Sequence, residues 1–406
     1  MTLRLGLLLL LLSAGAAFGA TFTVTKETDD DGPCEPDDCA LREAILAANA
    51  LPGPDVVVLP SGTYLLTLVG PVEENDGFTG DLDIRDALEL RGDPDSPPTI
   101  IGDGTDRVLN TLVLLSQPVE ISHVVVTGGN GSGGGGIRAS GTFTLRNSTL
   151  VGNVSSTFGG GLLFSSGTAT IEGTTFRGNT AGIRGGGLYR GSTNIFARTQ
   201  LISSTVVENH APIGGGVYVS VDGPFDFIHT TIAGNTSTAQ FGAGAAWNLA
   251  QRLSFYNTLF AGNNCAGPIA NTNGHNIEGP SSTCFLPGGD QTGVADLGLG
   301  VLGDHGGPTP TLPLLPGSPA LDAALPNDCP ETDQRGIFRP QGSGCDVGAF
   351  ESEISAVEIP TLRHAGLVLL AALLGAAGWR RLRYLACGSG VAAYLPENRP
   401  THRGRP

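Results

Sequence analysis

One phrase returns five times in the middle of this chain: an apolar residue, two intervening residues, then asparagine. It runs from Leu150 to Asn153, Phe176 to Asn179, Val206 to Asn209, Ile232 to Asn235 and Phe260 to Asn263, with steps of 26, 30, 26 and 28 residues between asparagines. Glycine-rich triplets at Gly159–Gly161, Gly185–Gly187, Gly214–Gly216 and Gly242-Ala243-Gly244 mark a second position of the period. A period of this length belongs to solenoids and propellers, and a propeller blade needs four strands in about 40–45 residues. The unit is too short for a blade. Two or three short strands per turn suit a parallel β-helix, whose coils lie about 4.8 Å apart.

Aligning the copies places Phe143, Ala169, Thr199, Phe225 and Leu253 in one column and Leu145, Ile171, Leu201, Phe227 and Phe255 two residues on. Thr144, Thr170, Gln200, Asp226 and Ser254 fall between them. This alternation predicts an apolar face inward and a polar face outward. Glycine suits the corners, where positive φ or close backbone approach is needed. Asparagine tolerates the left-handed region, and stacked asparagines can bond from coil to coil as amide ladders. These phrases resemble the right-handed parallel β-helix repeats of bacterial surface proteins.

The chain has 406 residues and a formal charge of −16. That acidity argues against nucleic acid and anionic membrane surfaces as partners. Residues 1–20 read as a secretory signal: Arg4 precedes the apolar run Leu5–Leu12, and Ala17-Phe18-Gly19 or the Ala20 boundary supplies small cleavage residues. Export means an oxidising compartment. Six cysteines fall into neighbouring pairs, Cys34 with Cys39, Cys265 with Cys284 and Cys329 with Cys345. Proximity favours those three disulfides among the alternatives that six cysteines allow. Cys387 is left unpaired.

A solenoid needs its ends covered. Residues 38–50 read as an α-helical N-terminal cap, with Asp37 or Asp38 as its N-cap and Leu41, Ile45 and Ala48 on one face. The run Cys39-Ala40-Leu41-Arg42-Glu43-Ala44, with Gly80-Asp81-Leu82-Asp83-Ile84 and Thr99-Ile100-Ile101-Gly102-Asp103-Gly104, resembles the CSLREA domain over residues 21–110. The resemblance implies an exported bacterial β-helix protein and no particular chemistry. The acidic run Asp29–Asp31 raises a calcium alternative to a solvated turn.

Residues 111–290 carry the repeats. Beyond them come Gly303-Asp304-His305-Gly306-Gly307-Pro308-Thr309, Asp333-Gln334-Arg335-Gly336 and Cys345-Asp346-Val347-Gly348-Ala349-Phe350-Glu351. Residues 291–352 resemble the choice-of-anchor Q module. Its Asp, Arg and His residues are crowded by Gly and Pro, which reads as a charge-paired, turn-locked cap rather than a catalytic set. A linker at 353–358 leads to Ile359-Pro360-Thr361-Leu362, an apolar run through Trp379, and Arg380, Arg381 and Arg383. A helix from Ile359 to Trp379 would be about 31 Å long, enough for a hydrocarbon core of about 30 Å. The arginines place its C-terminal end in the cytoplasm. Residues 359–383 resemble the IPTL-CTERM sorting signal of Gram-negative bacteria, departing from it in Arg363-His364-Ala365. Residues 384–406 read as a tail.

The coils hold few carboxylates: Glu172, Glu208, Asp222 and Asp226. None forms the acid pair that glycoside hydrolysis requires. Arg146 and Glu172 are expected as a surface ion pair on neighbouring coils, and Tyr189 and Tyr218 as an aligned aromatic rung, a candidate ligand face for sugars. The fold class is therefore all-β, a pectin-lyase-like right-handed parallel β-helix with an N-terminal helical cap and a C-terminal transmembrane helix. No catalytic, cofactor-binding or metal residue is assigned, and no cofactor is expected. The leading functional reading is a non-catalytic adhesion or structural protein, exported and anchored at the envelope of a Gram-negative bacterium. A polysaccharide-active lyase or glycosidase and a carbohydrate-binding module are the alternatives. Expected partners are the envelope sorting machinery, the membrane, and glycans or other cell surfaces. The sequence does not address oligomeric state.

Overall fold

The computed structural model describes residues 19–353, apart from 72–74, 115, 192–193, 195, 221–222, 240–241, 248–252, 263–264, 268–270, 273 and 285–287. The chain divides into two units, Met1–Glu353 and Ile354–Pro406. The second unit lies outside the described residues, and so does the expected membrane segment 359–383. Among the described residues no helix is long and apolar enough to cross a membrane.

The described chain is a right-handed parallel β-helix. Its strands form three sheets of 16, 9 and 5 strands, and every pairing between strands is parallel. The largest sheet has two rows. They are joined where Ile137–Arg146 and Leu162–Glu172 run through both rows, bending at Gly141 and Gly167. At Gly167 φ is +96°, and a Cβ would lie 1.9 Å from the Gly141 carbonyl oxygen, so only glycine fits this corner.

Register follows the aligned columns. Leu145 pairs with Ile171, Ile171 with Leu201, Leu201 with Phe227, and Phe227 with Phe255. All five side chains are fully buried. Phe227 and Phe255 stack with ring centroids 4.9 Å apart. The intervening polar column is less open than expected. Asp226 is 2% exposed because Arg198 from the preceding coil lies on it.

The recurring asparagines form a buried amide ladder. The Nδ2 of Asn153 donates to Asn179 Oδ1 at 3.1 Å, Asn179 to Asn209 at 2.9 Å, and Asn209 to Asn235 at 2.9 Å. Each of those Oδ1 atoms also accepts the preceding asparagine's backbone N–H. The glycine triplets stand against this ladder: a Cβ at Gly187 would lie 3.1 Å from the Asn209 amide and 2.7 Å from the Gly216 carbonyl oxygen. Asn and Gly thus recur at a fixed spacing because one packs on the other. Asn263 lies outside the described residues.

The β-helix begins earlier than its repeats suggest. Thr21–Thr23 pairs with Val56–Val58, giving the first rung. A helix at Leu41–Ala50 packs on this rung with Leu41, Ala44, Ile45 and Ala48 buried. Its N-cap is Ala40, not Asp37 or Asp38. Glu43 reaches back to the Ala40 N–H at 2.7 Å, while Asp38 pairs with Lys26 at 2.6 Å. Arg42 is fully buried. It binds Asp29 through Nε at 2.7 Å and the carbonyls of Gly77, Gly80 and Asp81 at 2.9–3.1 Å. Arg107 in turn binds Asp81 at 3.0 Å, and Asn110 binds Asp83 at 2.9 Å. The hexamer around Arg42 and the Gly80–Ile84 phrase are therefore two halves of one lock.

The C-terminal module corrects the expectation of an end cap. After the last rung, Ile277–Gly279, the chain folds back as a strap along the outer face of the nine-stranded sheet. Thr309 Oγ1 donates to the Gly173 carbonyl at 2.9 Å, 136 residues earlier in the chain. Gln334 bonds Thr175, Thr205 and Thr309, and Ala349 N–H donates to Thr231. A second small core, including Leu259, Ile277, Leu297, Leu314, Val347 and Phe350, forms beneath it.

Candidate functional site

In six successive coils the turn between the second row of the large sheet and the nine-stranded sheet is taken by one residue in the left-handed region. These are His123, Asn147, Gly173, Ser203, His229 and Asn257, with φ between 42° and 61°. Asn and His are among the non-glycine residues that tolerate this conformation best. The first five turn N–H groups donate to the next coil, from His123 to Arg146, Asn147 to Glu172, Gly173 to Ile202, Ser203 to Ile228 and His229 to Tyr256.

Where the strap crosses this column it leaves a cleft of about 470 Å³. His123, Arg146, Asn147, Glu172 and Ser203 line the solenoid side, and Asp333 to Gly336 the strap side. Arg146 and Glu172 form the expected ion pair, on registered positions, and Arg146 also binds Glu120 at 3.3 Å. Both glutamates thus share one guanidinium. Arg335 is held by Asp333 at 2.8 Å and stacks 3.6 Å from the centre of the Phe350 ring. Asp333 and Arg335 therefore fix the strap.

His123 has more freedom. Burial, then the nearby Arg91, holds its pKa below the usual imidazole range. The Asn147 amide lies 3.1 Å from Nε2, which makes Nε2 the acceptor and places the proton on Nδ1. That Nδ1 is buried and has no hydrogen-bond partner among the described residues. That nitrogen faces inward, so the polar groups the cleft presents are the half-exposed Arg146 and Glu172. His229, four positions further along the column, is fully engaged. It meets the Asp346 carbonyl through Nδ1 at 3.1 Å and the Asn257 amide through Nε2 at 2.9 Å, and burial pushes its pKa down to about 3.

Periodicity alone did not point to this cleft. His123 shares the repeat position of Asn147 and Ser203, so an aligned turn column was available as a signal. The strap that closes the cleft lies more than 100 residues away, and nothing periodic marks where it lands.

The other expected residues fall elsewhere. Tyr189 and Tyr218 are in register with rings 5.6 Å apart, but they are 9% and 4% exposed. Phe158 stacks on Tyr189 and Arg184 on Tyr218. The ligand-face reading of this pair is thus replaced by a packed aromatic rung whose faces are already occupied. Asp29 is taken by Arg42 and Asp30 by Lys26, so the acidic run forms an ion-paired turn. Among the described residues no group of three or more His, Cys, Asp or Glu side chains could hold a metal ion. The disulfides are Cys34–Cys39, Cys265–Cys284 and Cys329–Cys345, the three local pairs. Cys387 lies outside the described residues.

Residues 359–383 match the IPTL-CTERM motif, which covers Ile359 to Leu362 and Arg380, Arg381 and Arg383. That motif indicates an exported, anchored surface protein recognised by sorting machinery. No curated protein matches the chain. Among solved structures, the pectate lyase Pel9A is similar over 82% of this chain and 96% of its own, with a TM-score of 0.44 and 11% identity.

Proposed function

We propose that this protein is a non-catalytic surface protein, exported and held at the envelope of a Gram-negative bacterium by residues 359–383, where its β-helix serves an adhesive or structural role. The observation that carries this reading is the sorting motif behind a secretory-type N-terminus. The CSLREA-like and choice-of-anchor-Q-like phrases fit it. Their charged residues are engaged within the fold, Arg42 and Glu43 at the first rung and Asp333, Arg335 and Glu351 in the strap. The apolar run to Trp379 would cross the membrane with the arginines inside. Fractionation tests this directly. The full chain should sit in the envelope, and removal of residues 359–406 should release it. Retention of the shortened chain in the membrane fraction would overturn the anchor.

A carbohydrate-binding role is the second reading, favoured by the half-exposed Arg146–Glu172 pair that lines the cleft. Polyhydroxylated ligands are held by such mixed donors and acceptors. A glycan panel with product detection separates the readings. Retention without cleavage supports binding, and depolymerisation would sink the non-catalytic assignment.

A further inference from the structure

Asp55 opens the second strand of the first rung and is 2% exposed. A buried carboxylate needs opposite charge or several donors, because burial alone penalises its ionised form. Asp55 has one described donor, the backbone nitrogen of Ala20, 2.6 Å from Oδ1. Its Oδ2 is buried and has no partner among the described residues. The amide of Ala20 within a longer chain has one hydrogen and no charge, and cannot supply the second bond.

The position of Ala20 resolves this. Ala17-Phe18-Gly19 precedes it, a small-x-small pattern suited to signal-peptide cleavage, after an apolar run. The same residue is fixed in the sheet: Val56 N–H donates to the Ala20 carbonyl at 2.8 Å, and the strand Thr21–Thr23 follows at once. Gly19 is crowded, since a Cβ there would lie 1.8 Å from the Pro54 carbonyl oxygen. We infer that cleavage falls between Gly19 and Ala20, and that the new Ala20 α-ammonium is the missing partner of Asp55. Hydrolysis of the Gly19–Ala20 peptide bond by water leaves a carboxylate on the departing segment and an amine on Ala20. That amine is protonated at neutral pH. It then offers three donors and a positive charge where the precursor offers one neutral N–H, and both Asp55 oxygens are satisfied. Removal of the signal thereby tightens the first rung of the solenoid, and the precursor carries a buried carboxylate with an open oxygen.

This inference rests on the export reading, and the experiment keeps the two apart. The intact mass of the full chain recovered from the envelope should correspond to a start at Ala20. Four purified chains ending at Pro406 then form a cycle: starting at Ala20 or at Gly19, each with Asp55 or with Asp55→Asn. With Asp55 present, the extra Gly19 should lower the melting temperature by about 4 °C. With Asp55→Asn the extension should make no difference. Acetylating the Ala20 amine of the native chain should reproduce the loss without any change of sequence. Additive effects in the cycle, or an envelope form starting elsewhere, overturn the lock while leaving export intact. A precursor that stays in the cytoplasm with Met1 attached overturns export, and the processing step with it.

Discussion

The core of the coils and the strap lie on opposite faces of the nine-stranded sheet and are held by different forces. In the coils each residue touches its equivalent one rung away. Stability there comes from apolar columns such as Leu145 to Phe255 and from the amide ladder Asn153 to Asn235. The strap is rich in Gly and Pro and has no such column. It is ordered by a small apolar core, the Cys329–Cys345 disulfide and a few buried charges. Arg339 binds Glu351 at 2.9 Å, with both side chains at most 1% exposed, and donates to the Asp346 and Gly348 carbonyls at 2.8 Å. Distributed nearest-neighbour contacts make a rung replaceable. Concentrated buried charge makes one residue decisive.

Arg339→Ala should have the largest effect. It strands Glu351 beside Asp346 without a counter-charge. Removing one member of a buried pair costs about 3–5 kcal/mol. The strap should detach before the coils unfold, which limited proteolysis across residues 297–351 would reveal against an intact β-helix. A single cooperative loss of both regions would deny that they are separately held.

Asn179→Ala probes the other side. It removes the acceptor for the Asn153 N–H and Nδ2, and the donor to Leu150 O and Asn209 Oδ1. Buried groups left without partners cost about 1–3 kcal/mol each before relaxation. The expected loss is about 2–3 kcal/mol by urea denaturation, with the strap retained. A loss below about 0.5 kcal/mol would mean that the ladder is ornamental.

The contrast also explains what was legible beforehand. Leu145, Ile171, Leu201, Phe227 and Phe255 were readable as an inward column because a repeated environment imposes a repeated residue type. The disulfides followed from proximity. The landing site of the strap was not legible. Thr175, Thr205 and Thr231 look like ordinary outward strand residues until Pro310, Gln334 and Ala349 arrive to bond them. Arg42 was placed on a helix, but its burial depends on carbonyls at Gly77, Gly80 and Asp81 that no local pattern announces. The cleft inherits this. Arg146 and Glu172 were paired from periodicity, whereas the wall opposite them came from a non-periodic segment.

Acid should loosen the strap through His229. Its folded pKa is about 3 against an ordinary 6.5, so the folded state resists protonation. A depressed folded value gives stability that is complete above pH 6.5 and is lost as pH falls from 6.5 toward 3. At pH 5 the loss attributable to this residue is about 2 kcal/mol. The other groups facing it are Arg339, which also lowers its pKa, and the Asp328, Asp346 and Gly348 backbone. Asp346 and Glu351 are shifted upward by burial, so their effect has the opposite sign and extends upward from the ordinary carboxylate range. Comparing the native chain with a histidine variant across pH 6.5 to 5 therefore isolates the histidine. His229→Gln should flatten stability across that window, and an unchanged slope would refute the assignment.

The smallest effect belongs to the cleft. Arg146 joins Glu120 and Glu172, yet its side chain is 42% exposed and its partners 43% and 37%. Solvent screens such pairs, and exposed salt bridges contribute at most about 1 kcal/mol. Arg146→Ala should thus shift the urea midpoint little, although it breaks two ion pairs where Arg339→Ala breaks one. That inversion is the point of the comparison: burial, not the number of partners, sets the cost. The substitution also frees Glu120 and Glu172 from their shared guanidinium without disturbing the strap. If the cleft holds carbohydrate through these groups, retention on a glycan panel should change while stability does not. A stability loss above about 2 kcal/mol would show that Arg146 supports the coils as Arg339 supports the strap.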